Sequence, residues 1–234
     1  MRTETHVLAG SPIAIPAYLT HTYWWAYVHP RAVQLFERQW LVNLILWGNF
    51  SRLRDAALDA LGGEIPGRTL QVACVYGDLT RRLAARLAPD AHLDVVDVLP
   101  VQIDNLARKL PRHSRVGLIH GDSAALDMAS ASYDRVLLFF LLHEQPEEVR
   151  KRTLAEALRV VKPGGRIVIV DYHGPYALNP LYWPMVGILR TLEPYALDLW
   201  EHEIAEWFPE KNGISSMVKK TSFGGLYQLL TITV

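Results

Sequence analysis

Cysteine and net charge are the two features in which this sequence is poorest. Cys74 is the only cysteine, which excludes an intramolecular disulfide and a cysteine-rich metal cluster, so we expect a reducing compartment. Lys plus Arg and Asp plus Glu both number 24, so no basic surplus indicates a nucleic-acid partner. No apolar run reaches the roughly 18–20 residues of a membrane-spanning helix, and we expect no secretory signal. The 234 residues predict one sizeable core with helical additions.

The N-terminal third has a helical pattern from Pro16 to about Leu61. Pro30 suits the first turn of a helix that runs through Trp47. A second helix is predicted from about 49 to 61, with Gly62-Gly63 as its end. We therefore predict an N-terminal helical extension over residues 1–66 and a second domain over residues 67–234.

From residue 69 onward, apolar strands alternate with helices. Continuous apolar strands separated by helices predict a doubly wound, mostly parallel α/β sheet whose ligands bind at the carboxyl ends of the strands. The predicted strands are Thr69–Val75, His92–Val98, Val116–His120, Tyr133–Leu141 and Arg166–Asp171. The predicted helices are Leu79–Leu87, Val101–Leu110 and Pro146–Val161, and residues 162–165 are predicted as a turn.

The segment at about 174–208 interrupts this alternation with four prolines and many Leu, Tyr and Trp residues. We interpret it as a helical insertion that covers a substrate. Two strands, Ser215–Lys220 and Gly224–Val234, should follow as an antiparallel hairpin with a tight turn at Gly224-Gly225.

Aromatic residues are concentrated in the early helices and in this insertion. They either fill a core or form a surface that is apolar on one side and wet on the other, such as a membrane contact. The residues are Tyr18, Tyr23, Trp24, Trp25, Tyr27, Tyr176, Tyr182, Trp183, Tyr195 and Trp200.

The segment after the first strand is the most informative part of the sequence. In a sheet of this kind it usually reads acid-x-Gly-x-Gly-x-Gly, where glycines let the backbone turn tightly against a bound nucleotide. Here Gln71, Ala73, Val75 and Gly77 occupy those four positions. Val75 is β-branched and resists left-handed conformations, so the loop must take another path or hold its ligand further away.

Three other motifs resemble those of the ubiquinone and menaquinone methyltransferases. They are Val96-Asp97-Val98, Gly121-Asp122-Ser123, and the run from Leu158 to Gly165. Over residues 68–173 the chain therefore resembles the class I S-adenosylmethionine (SAM)-dependent methyltransferase fold.

Within that class, the whole chain resembles the rhodoquinone biosynthesis protein (RquA) family. The resemblance lies in residues 23–27, 39–49, 72–80, 138–145 and 223–228. It implies conversion of ubiquinone to rhodoquinone, in which an amino group from SAM replaces a ring methoxy group, with manganese as a cofactor. It further implies ubiquinone as a lipid substrate and peripheral attachment at the cytoplasmic face of the inner membrane.

The resemblance also implies a set of SAM-binding residues. Asp97 would accept hydrogen bonds from the ribose, and Asp122 would accept one from the adenine amine, with helix capping as its alternative role. Gln71 would be a neutral neighbour of the SAM ammonium, which would then lose its proton more readily and become a nucleophile. The full set is Gln71, Ala73, Val75, Tyr76, Gly77, Asp97, Val98, Asp122, Ser123, Phe139 and Phe140.

Polar side chains also follow the fourth and fifth strands, which are neighbours in this fold. We expect His143, Glu144, Asp171, Tyr172 and His173 to face one crevice and to act as acids or bases on a quinone carbonyl. The same crevice is the predicted manganese site, because manganese accepts oxygen and imidazole ligands. The candidate ligands are Asp78, His143, Asp171 and His173, although Asp78 equally suits a helix cap.

Two alternatives to ubiquinone amination stay open. One is a conventional SAM-dependent methyltransferase acting on a prenylated quinone. The other is a non-enzymatic protein that binds a quinone or SAM. The sequence does not fix the oligomeric state.

Overall fold

A computed structural model describes residues 14–23, 38–111, 114–176, 178–209 and 213–234. Pro30 and the early aromatic residues Trp24, Trp25 and Tyr27 lie outside the described residues, so their predicted roles stay predictions.

Seven strands form one sheet in the order β3-β2-β1-β4-β5-β7-β6. The first five are parallel, whereas β7 runs antiparallel to both β5 and β6. This confirms the predicted doubly wound, mostly parallel sheet with a final antiparallel hairpin. The strands are β1 Arg68–Val72, β2 His92–Asp97, β3 Val116–His120, β4 Tyr133–Phe139, β5 Val161–Tyr172, β6 Ser216–Ser222 and β7 Tyr227–Thr233.

Helices flank the sheet, and the helical insertion predicted at 174–208 is present. Helix α3 packs on β5 and β7, α5 packs on β2 and β3, and α6 packs on β5. The helices are α1 Ala17–His21, α2 Gln39–Ile45, α3 Phe50–Leu61, α4 Leu79–Ala85, α5 Pro100–Lys109, α6 Glu147–Val160, α7 Tyr182–Leu192 and α8 Asp198–Glu201. Short 3₁₀ turns occupy Leu142–Glu144 and Ile204–Trp207.

The core follows from the apolar strands. From Val136 to Leu138 and from Ile167 to Val170, every residue is fully buried, as expected for parallel strands covered on both faces. Phe50, Leu53 and Leu58 of α3 belong to the same hydrophobic core as the strands. The second half of the predicted N-terminal extension thus shares its core with the sheet.

Several strand boundaries differ from the prediction, and those of β1 and β5 have a visible backbone cause or consequence. Strand β1 ends at Val72, not Val75, because Ala73 adopts a left-handed φ of 72° that breaks the extended backbone. Strand β5 begins at Val161 and includes residues 162–165, which were predicted as a turn. Gly164 there has a φ of 78°, and its N–H donates to the carbonyl of Val234.

The hairpin turn is longer than predicted. Residues 223–226 separate β6 from β7, and Phe223, Gly224 and Gly225 all have positive φ angles, so the two glycines do not make the turn alone. Within the part of the chain that the structure describes, no helix is both long and apolar enough to cross a bilayer.

Candidate active site

The loop after β1 is braced from within by Gln71. Its Nε2 donates to the carbonyl of Ala73 (2.9 Å), and the Thr80 hydroxyl donates to its Oε1 (3.0 Å). Gln71 is completely buried, so its amide supports the loop and does not reach the crevice as the resemblance had implied. The left-handed residues are Ala73 (φ 72°) and Gly77 (φ 84°), whereas Val75 avoids that conformation; the loop does take a different path.

The far half of this loop is held by its neighbours. A Cβ on Gly77 would lie 2.9 Å from Cζ of Phe50, so both its φ angle and its surroundings require glycine. Lys109 donates to the carbonyls of Val75 (3.4 Å) and Gly77 (3.1 Å), and Gln102 donates to the Tyr76 hydroxyl (2.7 Å). Tyr76 and Gly77 are thus held in place by contacts with α5 and Phe50.

A crevice opens where the carboxyl ends of β1, β2 and β4 meet. The chain order reverses between β1 and β4, and this is the position at which open α/β sheets bind ligands. Helix α1 covers it and leaves a cavity of about 60 Å³. The predicted binding residues on its lining are Ala73, Asp97, Val98, Ser123 and Phe140, together with the catalytic candidate Glu144.

Asp97 is built into the floor of this crevice. One oxygen accepts the N–H of Cys74 (2.7 Å) and the other accepts the N–H of Leu99 (2.8 Å). Burial raises the pKa of Asp97, although these two hydrogen bonds favour its charged form. The carboxylate therefore orders the loops after β1 and β2 before any ligand binds.

Asp122 and Ser123 are likewise engaged within the protein. Asp122 accepts the N–H of Ala124 (2.8 Å), which is a turn-stabilising bond of the capping kind considered as its alternative role. The Ser123 hydroxyl lies 3.1 Å from that of Thr153 and accepts a hydrogen bond from Gln145 (3.0 Å). Gln145 is a contributor that the sequence did not single out.

Tyr18 of α1 lies over the crevice among three carboxyl groups. Burial, followed by the negative charges of Glu144, Asp122 and Asp97, raises the pKa of Tyr18 above its ordinary value. The nearby side chain of Gln145 partly offsets the shift. The crevice is therefore acidic and closed by an aromatic side chain, which suits a cationic ligand that carries hydroxyl groups.

His143 and Asp171 come together behind this crevice, as predicted from their neighbouring strands. His143 Nδ1 donates to Asp171 Oδ1 at 2.9 Å, and Asp171 also accepts the N–H groups of Leu142 (2.8 Å) and Tyr172 (2.8 Å). Burial by itself would lower the pKa of His143. The Asp171 charge and hydrogen bond, with smaller contributions from Glu193 and Glu144, outweigh burial and raise it to about 9.

Two carboxyl groups flank the other imidazole nitrogen. His143 Nε2 lies 3.8 Å from Oε1 of Glu144 and 3.9 Å from Oε2 of Glu193. Burial raises the pKa of Glu193, although the charge of His143 and the nearby Tyr23 side chain oppose the rise. Neither Glu193 nor Tyr23 was predicted as a site residue. Glu193 does carry a signal, because it is the only acid between residues 174 and 197, a segment otherwise apolar.

An aromatic wall packs against the imidazole of His143. The Phe140 ring makes edge contacts with those of His143 (5.8 Å), Tyr172 (5.4 Å) and Tyr227 (5.9 Å). Phe140 adopts a φ of 52°, which turns the chain sharply after β4. Phe139 is buried and packs on Phe50, so of the two phenylalanines only Phe140 lines the crevice. Tyr172 is buried in this wall, and burial raises its pKa well above the ordinary value.

Arg150 fixes the segment that carries His143. Completely buried on α6, it donates to the carbonyls of Leu142 (3.0 Å), Gln145 (2.9 Å) and Tyr195 (2.9 Å). Its guanidinium also stacks 4.2 Å from the ring of Trp207. One side chain thus joins the residues after β4 to the helical insertion, and sequence reasoning missed it.

The predicted metal site is not assembled. Asp78 is held by Arg54 and Arg82, each at 2.6 Å, in a partly buried ion-pair network near the start of α4. His173 lies past the end of β5 and donates from Nδ1 to the carbonyl of Gly225 (2.8 Å). In the described parts of the chain, no three His, Cys, Asp or Glu side chains converge as a metal centre. Only His143 and Asp171 of the four candidates are neighbours, so these residues do not fit a manganese ion.

The geometry described above agrees with comparisons to known proteins. Residues 69–165 match the family described as a methyltransferase domain. Demethylmenaquinone methyltransferase of Beutenbergia cavernae is 29% identical over 203 residues, which span 82% of this chain and 80% of that protein. The ubiquinone/menaquinone biosynthesis C-methyltransferase UbiE of Cereibacter sphaeroides is 25% identical over 209 residues, 84% of this chain and 82% of that protein.

Solved structures show the same sheet. An O-methyltransferase family protein from Burkholderia thailandensis superimposes with a TM-score of 0.65 at 16% identity. The match covers 87% of this chain but only 59% of the longer protein. Residues 69–165 thus match a methyltransferase domain, and the chain has the class I SAM-dependent methyltransferase fold.

Proposed function

We propose that this protein is an enzyme that transfers a methyl group from SAM to the ring of a prenylated quinone in its reduced, quinol form. The observation that carries the proposal is the His143–Asp171 pair, held beside an acidic crevice at the point where the strand order reverses. Two relatives with quinone methyltransferase names support the substrate class.

The crevice residues fit SAM as a cofactor. SAM carries a sulfonium and an ammonium group, and Asp97, Asp122 and Glu144 supply negative charge around the cavity. Asp97 is ordered in advance by two backbone N–H groups and retains free lone pairs for ribose hydroxyls. When bound there, SAM supplies the methyl group. Tyr18 and its helix must move outward, because about 60 Å³ is far below the roughly 300 Å³ of small ligand pockets.

His143 is placed to remove a proton from the quinol. The ring O–H bond would break, the proton would pass to Nε2, and the electron pair left on oxygen would make the adjacent ring carbon nucleophilic toward the methyl group. The proton that this carbon then loses would return to the oxygen and restore the aromatic quinol. Asp171 holds the imidazolium that results, in the way a buried carboxylate supports a general base. With a pKa of about 9, the neutral base is the minor form near neutrality. We therefore expect kcat/KM to rise about tenfold per pH unit and to level off above pH about 9.

Amination of ubiquinone is the second candidate, and Gln71 favours it. A buried, internally bonded amide stands where a carboxylate would otherwise hold the ammonium of SAM. Less stabilisation of the ammonium leaves a larger neutral fraction, which is the form that can attack a quinone. This candidate, as implied by resemblance to the rhodoquinone biosynthesis protein family, involves manganese, which the described site residues do not fit.

Isotope transfer distinguishes the candidates. The protein is incubated with a short-chain quinone, oxidised or reduced, and with SAM labelled on both its methyl carbon and its amine nitrogen. Mass spectrometry should find the carbon label in the product of the reduced quinone. Nitrogen label in a product that has lost a methoxy group would establish amination instead.

Absence of both labels, with SAM binding intact by calorimetry, would overturn both candidates and favour a binding protein. His143→Gln should abolish transfer while preserving SAM affinity, because the imidazole does not line the crevice. Glu206→Gln is the matched control, since Glu206 is exposed and forms its ion pair among the described residues with exposed His202.

A further inference from the structure

Helices α2 and α7 and the residues beside them present large apolar side chains to solvent, and we call these residues together the α2–α7 face. They are joined where the Trp47 indole N–H donates to the sulfur of Met185 at 3.1 Å. The face consists of the exposed residues Trp40, Leu44, Ile45 and Trp47 on and after α2, and Trp183, Ile188 and Leu192 on α7.

This composition is unusual for surface helices. Helix α7 already buries an inner stripe through Met185 and Leu189, so its outer side should be polar, but Trp183 is 78% exposed and Ile188 is 41% exposed. Trp40 on α2 is 60% exposed. Apolar patches of this kind mark binding surfaces.

Within the segments that form the face, charge has a single sign. Neither residues 38–50 nor residues 181–192 contain an acid, although the chain has 24 acids in total, and their charged residues are Arg38 and Arg190. Arg52 follows the first segment, while the acid that follows the second, Glu193, is turned inward toward His143. A surface that combines indoles with arginine and lacks carboxylates matches an anionic bilayer, where tryptophan lies at the headgroup level and cations meet lipid phosphates.

We propose that the α2–α7 face docks on an anionic lipid bilayer. A second copy of this chain fits less well, because a two-fold interface would bring the arginines of one face against those of its partner without any carboxylate between them. Residues 24–37, which connect α1 to α2, are the other possible cover and are an outcome of the test below.

The α2–α7 face lies next to the candidate active site along the chain, which suggests how docking would help a substrate to enter. Helix α7 ends at Leu192, and the next residue, Glu193, lies 3.9 Å from Nε2 of His143. A ring whose apolar tail stays in the bilayer would thus enter beside this helix. This last step rests on the proposed function, whereas lipid binding does not.

Vesicle cosedimentation tests the docking. The probes are vesicles of phosphatidylcholine alone and of phosphatidylcholine with phosphatidylglycerol, and the test variant is Trp40→Ser with Trp183→Ser. Both residues are exposed, so their replacement leaves the core intact. We expect the wild-type chain to bind anionic vesicles and the double variant to bind about tenfold or more weakly, since two large apolar side chains no longer enter the interface. Val218→Ser, exposed on β6 away from the face, should bind like the wild type.

Three results would overturn the proposal. They are no vesicle binding by the wild type, equal binding by the double variant, or a wild-type dimer in light scattering that the double variant abolishes. Protection of Trp40 and Trp183 from solvent quenchers without vesicles would show instead that residues 24–37 cover the face. Turnover of a tail-less, water-soluble quinone should be unchanged in the double variant. If the wild type and the variants all lack this turnover while the wild type still binds vesicles, the proposed function is refuted and the docking proposal is supported.

Discussion

Replacing Asp171 by asparagine should remove the charge that keeps His143 protonated. Asp171 is completely buried and accepts hydrogen bonds from the imidazole and from three backbone N–H groups. Asparagine has nearly the same shape, so it can retain part of this network without a carboxylate charge. In its absence, burial becomes the dominant influence and should move the pKa of His143 below its ordinary value of 6.5.

The size and pH range of the effect follow from linkage. The rise in the pKa of His143 from 6.5 to about 9 corresponds to about 3 kcal/mol of stability. Because the folded-state pKa is the higher one, this contribution is fully present below pH about 6.5 and is lost as pH rises through about 9. The difference in unfolding free energy between wild type and Asp171→Asn should therefore shrink by about 3 kcal/mol between these pH values.

Urea unfolding at pH 6.5 and pH 9.5, combined with imidazole resonances followed by NMR, measures both quantities. Asp59→Asn is the matched control, because its side chain is 71% exposed and its pair with Arg86 should contribute about 1 kcal/mol at most. A stability difference that does not change with pH, or a variant whose His143 still titrates near 9, would refute this account of the pair.

Two further substitutions test how the site is supported. Gln71→Glu should lower stability by about 1–3 kcal/mol near neutrality, because a buried carboxylate would face the Ala73 carbonyl. Urea unfolding at acid pH should show a smaller loss. An unchanged urea midpoint would contradict the role of Gln71 in supporting the loop. Arg150→Met should lower stability by about 3–5 kcal/mol and weaken turnover, because carbonyls including those of Leu142 and Tyr195 lose their buried donor. Arg150→Lys should recover only part of the lost stability. Equal stability of the wild type and both variants would contradict this role of Arg150.

The sheet could be predicted because its strands are continuous apolar runs. Val116–His120 was predicted with the bounds that the structure has. Errors came where a backbone angle, and not hydrophobicity, ends a strand. Alanine rarely adopts positive φ, so nothing in the residue type indicated that Ala73 would end β1.

The site was predictable to the extent that topology alone determines it. Neighbouring parallel strands bring their carboxyl ends together, and His143 and Asp171 meet for that reason. The predicted position of His173 in the crevice was wrong, because its ring is hydrogen-bonded to the carbonyl of Gly225 in the hairpin turn. Glu193 was missed because it approaches from an insertion whose packing no strand pattern predicts, whereas its isolation in an apolar segment was a usable sign of burial.

The altered loop changes which residue can meet the cation of SAM. Gln71 is buried, and both its amide nitrogen and its amide oxygen are hydrogen-bonded within the loop region, so it cannot be the partner of the ammonium. Glu144 is only partly buried, lines the crevice and lies 3.8 Å from the imidazole of His143. If the ammonium pairs with Glu144, then the cofactor's amine and the general base share one carboxylate, and the protonation of each depends on the other. The replacement of an acid by Gln71 would then act mainly by leaving Glu144, in the segment after β4, as the carboxylate that meets the ammonium.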